Sequence, residues 1–529
     1  MMRCAARLFA ALTLVALAPA CDDPAADGAE DLAAEAVLPG KADNYLSPTS
    51  REYHVWGMGQ IDLDRETWAS QDPAAKEAHV REQLGYRVKA YAHFVNAYLT
   101  DKGHGATNAD YGGFGGLVHG KSTDFVIDPV DADQLAWAFI WELELGAPRD
   151  LLDRVPLETG ANGDQVVVVQ IPALSESDLE YARYPKDFDP SKYTGAMEEL
   201  EVVVEPKSES SDGYPEYDRL FADGRFDVTI VVGGDYNAER YDLQQAEAIF
   251  AWLKSAGYKH AAAKYTELKV DSPPFTGKFT AQGRTVEVAI TLLHPAVAPV
   301  AELDLLRQRI IEAYEQDDVV IYDGHAGEDP DYSGIVYHYN PRHAISASGL
   351  AQLDLPEAKY QIFLFNGCKT YAAYPDAVMK NPRKTTKTLD IVSTVNFSWL
   401  NQQTFTTSGF IRELLAKSGA THDPRTWREV LTSINAQANA NVYYGVHGID
   451  DNPHLNPYAD VASLCRPCAK DADCPGAGNL CLAFSGGKKH CTAECTADDG
   501  CPDGYVCGDI AAGGRIIGKQ CMPKTYRCP

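Results

Sequence analysis

Cys368 and His325 are the two residues of this chain whose types and positions suit nucleophilic chemistry. Each stands at the end of an apolar run, one beginning at residue 360 and the other at residue 319. In a parallel sheet the carboxyl ends of the strands meet at one edge, so the thiol and the imidazole are predicted to lie close together. An adjacent imidazolium lowers the pKa of a thiol, and the same histidine can protonate a leaving group. We therefore interpret Cys368 as a nucleophile and His325 as its acid and base.

Small residues surround both groups. The backbone N–H groups of Ala326, Gly327 and Cys368 are the predicted oxyanion hole, because small side chains let a substrate approach the backbone closely. Taken singly, a free cysteine at a strand end is often only a small buried apolar group, and a histidine there is often structural. The two residues together, each after an apolar run and beside glycines, favour an active dyad.

The N-terminal cysteines belong to an export signal. Residues 1–21 carry two arginines, then an apolar stretch, then Ala18-Pro-Ala-Cys21. This pattern is typical of a secretory signal peptide, and its end resembles a bacterial lipoprotein processing site. The sequence thus predicts an exported protein lipidated at Cys21 in the bacterial cell envelope. Plain secretion with cleavage nearby is the alternative.

The last ten cysteines lie between Cys465 and Cys528 in a Gly- and Asp-rich segment. An even number of cysteines in an exported chain indicates a disulfide framework, and the repeated spacings indicate two tandem modules over residues 464–529. Cys465 and Cys468 also have the spacing of half a zinc site, but the His-poor context favours a disulfide. Spacing alone leaves the pairing open.

Charge narrows the set of partners. The chain has 529 residues and a formal net charge of −28, and it lacks the clustered Lys and Arg that nucleic acids or anionic membranes require. Membrane contact is expected only through the lipid anchor, and protein or peptide substrates are the expected partners. No cofactor or catalytic metal is predicted, and a structural calcium ion is left open. The sequence does not indicate an oligomeric state.

The elements that must position the dyad follow from the pattern along the chain. Residues 22–44 have no apolar period and are predicted to be a disordered tether. Residues 45–205 form a predicted α+β domain, interpreted as a prodomain or a substrate-presenting module, with strands over 52–61 and 165–171 and helices over 73–99 and 132–145. The polar stretch 205–215 is interpreted as a linker or cleavage site.

Residues 206–460 alternate short apolar runs with amphipathic stretches. This alternation predicts an α/β domain with a mostly parallel sheet and helices on both faces. Both dyad residues fall in this segment, after the runs that begin at residues 319 and 360.

The order of the dyad, histidine before cysteine, resembles the caspase, legumain, clostripain and gingipain group of cysteine peptidases over about residues 226–460. Gly367 matches the small residue that precedes the cysteine in this group, whereas Ala326 stands where glycine usually follows the histidine. Gingipain-like enzymes look nearest. Residues 394–399 resemble the strand whose Ser and Trp line their specificity pocket, and residues 445–456 resemble their closing motif.

The resemblance implies a caspase-haemoglobinase-like fold, endopeptidase activity and a substrate pocket at Asn366, Ser398 and Trp399. Related enzymes that cleave after Arg or Lys often have an acidic residue two before the cysteine, where this chain has Asn366. Preference for Arg or Lys is expected, with Asn or Asp as the alternative. Two other functions are weighed: an inert peptidase-like surface protein used for binding or adhesion, and an acyl or peptidyl transferase with the same dyad.

Overall fold

A computed structural model gives the fold and describes residues 45–99, 119–155, 157–160, 163, 165–172, 194–326, 331, 334–396, 398, 400, 403–436, 442–512 and 514–528. The predicted signal segment 1–21 with Cys21, the tether 22–44, Gly327 and Trp399 lie outside these residues. None of the helices within the described ranges is long and apolar enough to cross a bilayer.

Six strands and three helices occur in the described residues of the N-terminal part of the chain. The strands are β1 (Ser50–Asp62), β2 (His119–Pro129), β3 (Ala136–Pro148), β4 (Leu157–Thr159), β5 (Gln165–Pro172) and β6 (Met197–Pro206). The helices are α1 (Arg65–Trp68), α2 (Pro73–Leu99) and α3 (Leu151–Arg154).

The six strands pair antiparallel in the order β2-β3-β1-β6-β5-β4. The strands predicted over 52–61 and 165–171 and the helix predicted over 73–99 are confirmed as β1, β5 and α2. The helix predicted over 132–145 is wrong, because residues 136–148 form β3 between β1 and β2. Large apolar side chains there alternate with less buried residues at a period of two, as in a strand. The buried members are Trp137, Phe139, Trp141, Leu143 and Leu145.

The central part of the chain, where the structure describes it, carries eleven strands and seven α-helices. The strands are β7 (Arg225–Val232), β8 (Phe275–Ala281), β9 (Arg284–Leu293), β10 (Val319–Asp323), β11 (Gly334–His338), β12 (His343–Ser346), β13 (Gln361–Asn366), β14 (Leu389–Thr394), β15 (Lys417–Ser418), β16 (Thr421–His422) and β17 (Tyr444–His447). The helices are α4 (Tyr217–Leu220), α5 (Tyr241–Ser255), α6 (Leu303–Gln316), α7 (Ala347–Leu350), α8 (Thr370–Val378), α9 (Gln403–Leu414) and α10 (Trp427–Asn435).

Nine of these strands form one mixed sheet in the order β15-β16-β8-β9-β7-β10-β13-β14-β17. The five neighbours β9, β7, β10, β13 and β14 are parallel, and β8 and β17 join them antiparallel. All residues of β10, β13 and β14 are buried, as expected for parallel strands covered on both faces. The chain leaves β7 toward β9 and then turns back to β10 and β13. Right-handed crossovers therefore place α5 on one face and α6 and α8 on the other.

The polar stretch 205–215 does not have the contacts of a loose linker. Tyr214 is almost fully buried, and its backbone N–H donates to the Pro453 carbonyl at 2.8 Å. Asp212 accepts a hydrogen bond from the backbone N–H of Arg428 at 2.9 Å, and Glu209 is paired with Arg149. Residues 205, 206, 208 and 211 are exposed, whereas Ser210 and residues 213–215 are buried. Residues 209–215 are therefore fixed by contacts with the N-terminal and central parts of the chain, and the interpretation as a linker or cleavage site stays a prediction.

The C-terminal region is held by disulfides. Its strands are β18 (Cys481–Ala483), β19 (Lys489–Cys491), β20 (Ala493–Glu494), β21 (Tyr505–Ala512) and β22 (Arg515–Pro523). All ten cysteines from Cys465 onward are paired, which confirms the predicted framework and replaces the zinc alternative at Cys465 and Cys468. Five disulfides indicate an oxidising, extracellular environment.

The two tandem modules share one pairing pattern, in which the first cysteine bonds the third and the second bonds the fourth. The bonds within the modules are Cys468–Cys481, Cys474–Cys491, Cys495–Cys507 and Cys501–Cys521. A fifth bond, Cys465–Cys528, closes a loop over both modules with a sequence separation of 63. The repeat in the spacing is thus a repeat in connectivity.

Candidate active site

The site lies where β7, β10 and β13 end side by side. In the parallel register Asp323, the last residue of β10, lies opposite Asn366, the last residue of β13, and opposite Val232 of β7. His325 and Cys368 each follow two residues after these strand ends. The structure thus brings the two sequence-predicted residues to one edge of the sheet.

His325 is oriented by a carboxylate that the sequence analysis did not single out. Its Nε2 lies 2.8 Å from Oδ1 of Asp235, whose side chain is buried while the imidazole is about one fifth exposed at 22%. Burial would raise the pKa of Asp235. Hydrogen bonds from His325 and from the backbone of Asn237 and Tyr241 outweigh it and hold that pKa below its usual range. The ionised carboxylate therefore accepts a hydrogen bond from Nε2–H, which leaves Nδ1 as the basic nitrogen.

A sequence signal for Asp235 existed. It follows the apolar run of β7 after two glycines, in the same way that His325 and Cys368 follow β10 and β13. The sequence does not show which strands are neighbours in the sheet. The structure places β7 directly beside β10.

Two tyrosines enclose the imidazole. The ring of Tyr236 stacks on His325 at a centroid distance of 4.5 Å, and Tyr339 meets it edge-on at 5.6 Å. Burial raises the pKa of Tyr236, and the charges of Asp235 and Cys368 raise it further. Tyr236 is still 56% exposed, so much of its ring faces solvent beside His325.

Cys368 sits in a strained turn between β13 and α8. Lys369, the next residue, has a left-handed backbone with φ 58°, and its N–H donates to the Asn396 carbonyl at 2.7 Å. The helix starts at the following residue, Thr370, whose hydroxyl donates to the Phe365 carbonyl. This turn presents a partly exposed thiol at the edge of the sheet.

The thiol is in its protonated state in this geometry. Burial raises the pKa of Cys368, against a smaller opposing effect of the Lys369 charge. Its Sγ donates to the Ser398 carbonyl at 3.6 Å, a bond that requires the thiol proton. The sequence expectation of a lowered thiol pKa is therefore wrong for this structure. Ionisation of Cys368 needs a base rather than a standing ion pair.

The loops that carry His325 and Cys368 touch through their smallest residues. A Cβ atom added at Gly367 would lie 2.7 Å from the Ala326 Cβ and 2.8 Å from the Gly324 carbonyl oxygen. Gly324 N–H in turn donates to the Asn366 carbonyl at 3.2 Å. Ala326 and Cys368, two of the predicted oxyanion-hole residues, are thereby neighbours, while Gly327 lies outside the described residues.

The predicted substrate residues Asn366 and Ser398 lie beneath the thiol and are buried. The Asn366 amide nitrogen donates to Asp323 Oδ1 at 2.7 Å, and its oxygen accepts from the hydroxyls of Ser398 at 2.8 Å and Tyr444 at 2.9 Å. With these partners and no exposed surface, Asn366 supports the site from inside rather than forming an accessible pocket floor.

No known protein family matches this sequence, and no curated protein is significantly similar to it. The arrangement itself has a definite chemical capacity. A thiol, an imidazole within the same loop cluster and a carboxylate bonded to that imidazole are the parts from which thiol acyl-transfer sites are built.

Proposed function

We propose that this protein is an exported cysteine endopeptidase with a caspase- or gingipain-like central domain. The observation that carries the proposal is the bond between His325 Nε2 and Asp235 Oδ1 at the strand ends beside Cys368. A buried ionised carboxylate has no structural need of a histidine that is partly exposed. An orienting role for a histidine that must gain and lose a proton accounts for both features.

The reaction begins from the neutral pair. Nδ1 of His325 takes the proton of Cys368 as Sγ attacks the peptide carbonyl carbon, and Asp235 stabilises the imidazolium that forms. The imidazolium then protonates the leaving amine, which frees the first product and leaves an acyl-thioester on Cys368. His325 then deprotonates a water molecule that attacks the thioester. The C–S bond breaks, the acid product leaves, and the His325 imidazolium returns the proton to the Cys368 thiolate.

The developing oxyanion needs donors near the thiol. Backbone N–H groups of Cys368 and Ala326 are the proposed donors, because their loops are in contact at Gly367. The N–H of Lys369 is not available, since it donates to Asn396. Gly327 completes the proposed set.

Substrate preference rests on charge. The formal net charge of −28 favours the approach of basic peptides. We therefore retain cleavage after Arg or Lys as the proposed preference, with Asn or Asp as the alternative, and Trp399 as a proposed pocket residue. The membrane anchor at Cys21 is likewise proposed from the sequence pattern.

One observation favours a second candidate, an inert peptidase-like protein used for binding or adhesion. The raised pKa of Cys368 and its bond to the Ser398 carbonyl are also what a structural thiol would have. The two candidates differ in whether the thiol reactivity depends on His325.

Alkylation and peptide hydrolysis by the mature chain distinguish them. We would measure the rate of iodoacetamide labelling at Cys368 by mass spectrometry and the cleavage of a peptide library. The variants are Cys368→Ala, His325→Ala and Asp235→Asn, with His490→Ala in the disulfide region as the matched control. Hydrolysis that is lost in Cys368→Ala and falls by roughly 100-fold or more in His325→Ala supports the peptidase. Slow labelling that is equal in all thiol-containing variants, without hydrolysis, overturns it in favour of the inert protein.

A further inference from the structure

Three strand ends at the site are joined to one buried side chain and its backbone. The carbonyl oxygen of Asp323 accepts from the N–H of Gly233 at 2.7 Å, and its carboxylate accepts from the amide of Asn366 at 2.7 Å. Gly233, Asp323 and Asn366 each stand two residues before Asp235, His325 and Cys368 respectively. Asp235, His325 and Cys368 therefore each lie two residues beyond Asp323 itself or a residue that hydrogen-bonds to it.

Further hydrogen bonds connect Asn366 with the thiol of Cys368. The oxygen of the Asn366 amide accepts from the Ser398 hydroxyl at 2.8 Å, and the Ser398 carbonyl accepts from Cys368 Sγ at 3.6 Å. Hydrogen bonds therefore connect the Asp323 carboxylate to the thiol through the Asn366 amide and through the hydroxyl and backbone carbonyl of Ser398. Buried series of this kind fix side-chain positions more strongly than isolated bonds do.

Burial of the ionised Asp323 side chain is also energetically unfavourable. Its side chain has no exposed surface, and burial raises its pKa to about 7, against the hydrogen bonds from Thr407 and Asn366. An asparagine or a hydrophobic residue would avoid that cost. A carboxylate kept at this point indicates a need for an acceptor that can serve several donors at once.

We propose that Asp323 is a positioning residue whose carboxylate aligns His325 and Cys368 by holding the ends of β10 and β13 together, while its backbone carbonyl bonds the end of β7. The expected effect of Asp323 on catalysis rests on the proposed peptidase function, whereas its hydrogen bonds at the strand ends are features of the structure. The ionised carboxylate accepts from both Asn366 and Thr407. Protonation of one oxygen turns an acceptor into a donor and weakens these hydrogen bonds.

The surroundings allow this titration to be observed. The groups that face Asp323 are Gln245 on α5, Thr407 on α9 and Asn366 on β13, all uncharged. The nearby titratable groups are Tyr322, Tyr444 and Cys368, and burial raises the pKa of each of them. His325 hydrogen-bonds to Asp235 instead.

The test uses the full mature chain and two variants that alter these hydrogen bonds. Asp323→Asn removes the charge with little change in shape, and Thr407→Val removes one donor to the carboxylate. The matched control is Asp390→Asn, an equally buried aspartate near the start of β14, at the opposite edge of the sheet, which accepts from Tyr360, Trp427 and Asn452. The readouts are amide hydrogen exchange at residues 324–326 and 366–369 and the alkylation rate of Cys368, each between pH 5 and 9.

We expect the wild type to gain protection at both segments as pH rises through about 7. Asp323→Asn should lose this step and lower peptide hydrolysis by roughly 10- to 100-fold, as a small misplacement of reacting groups does. Thr407→Val should keep the step but move it to higher pH, because the ionised form has lost a donor. Asp390→Asn should lower thermal stability without moving the step.

A step that persists in Asp323→Asn, or that disappears equally in Asp390→Asn, would overturn the proposal. Failure of the peptidase function has a different signature, in which the wild type shows the exchange step but cleaves no peptide. Thr407→Val keeps the test decisive if Asp323→Asn does not fold.

Discussion

Tyr371, on the helix that follows Cys368, donates a hydrogen bond from its phenol to Oε1 of Glu52 in strand β1 at 2.9 Å. Both residues are buried, and Glu52 is also paired with Lys207 at 3.2 Å. The N-terminal sheet therefore packs directly on the turn and helix that carry the thiol. A domain released on activation, as the prodomain interpretation implies, would expose this polar cluster.

The contact is more than one bond. Tyr45 packs against Tyr371 and His447 at centroid distances of 5.6 and 5.0 Å. Leu46 adds a two-bond antiparallel bridge to Val446 on the edge strand β17, at 3.0 and 2.9 Å. Tyr371 thus belongs to the same buried apolar cluster as residues of β1 and β3.

Tyr371→Phe should destabilise the protein by about 1 to 3 kcal/mol, because it leaves the buried Glu52 carboxylate without one of its donors. Denaturant unfolding of the variant and the wild type measures this cost. Tyr526→Phe, at a side chain that is 54% exposed, is the control and should change stability little. Equal stabilities for Tyr371→Phe and the control would mean that the bond contributes nothing to the contact between the two sheets.

Gly367→Ala should separate the loops that carry His325 and Cys368. The new methyl group would stand 2.7 Å from the Ala326 Cβ and 2.8 Å from the Gly324 carbonyl, and neither atom is at the end of a flexible side chain. We expect a loss of about 1 to 3 kcal/mol in stability and a fall in hydrolysis of roughly 10- to 100-fold.

Two further variants serve as controls for Gly367→Ala. Ala326→Gly in the Gly367→Ala background removes one of the two clashes and should restore part of the activity. Gly518→Ala, where an added Cβ meets no atom within 4 Å, should be neutral. Normal activity and stability of Gly367→Ala would show that the loops are not in contact in solution.

Local patterns in the sequence were sufficient for the strands that end near the site, but not for their arrangement. Short apolar runs bounded by glycines predicted the strands before His325 and Cys368, because parallel strands buried on both faces are continuously apolar. Asp235 follows an identical signal. The sequence does not identify Asp235 as a partner of His325, because hydrophobic periodicity does not show which strands are adjacent in the sheet.

Two of the incorrect predictions, the helix over 132–145 and the lowered pKa of Cys368, have separate physical causes. At residues 136–145 tryptophan and phenylalanine alternate with less buried residues, and this period of two outweighs the helix-forming alanines and glutamates. The pKa of Cys368 depends on how deeply the turn is packed and on the bond to Ser398, which is distant in sequence from the apolar run. Neither is encoded in residue types near Cys368.

Asp317→Asn should stabilise the protein in a pH-dependent way. Burial raises the pKa of Asp317 to about 6, from an ordinary value of 3.8, so the folded carboxyl holds a proton that the unfolded one has released between these values. Its contribution to stability is therefore intact below about pH 4 and is lost as pH rises through 6. The variant should match the wild type near pH 4 and exceed it by roughly 1 to 3 kcal/mol above pH 7.

Thermal unfolding between pH 4 and 8 measures this difference. Asp354→Asn, at a side chain that is 73% exposed and paired with Arg383, should show no such trend. A gain for Asp317→Asn that is the same at every pH would point to a contact effect at Thr229, which donates to this carboxylate, instead of a titration.

Removal of the Cys465–Cys528 bond should weaken the C-terminal region while leaving the thiol site intact. The bond closes a loop of 63 residues, for which the chain-entropy argument gives about 4 kcal/mol, compared with about 3 kcal/mol for the 13-residue loop of Cys468–Cys481. Serine pairs at each bond, compared by limited proteolysis of residues 465–528, should show the larger loss for the outer bond. Alkylation of Cys368 should be unchanged in both, since its partners Ser398 and Lys369 lie outside the modules. A fall in Cys368 reactivity on loss of the outer bond would instead mean that the disulfide modules support the central domain.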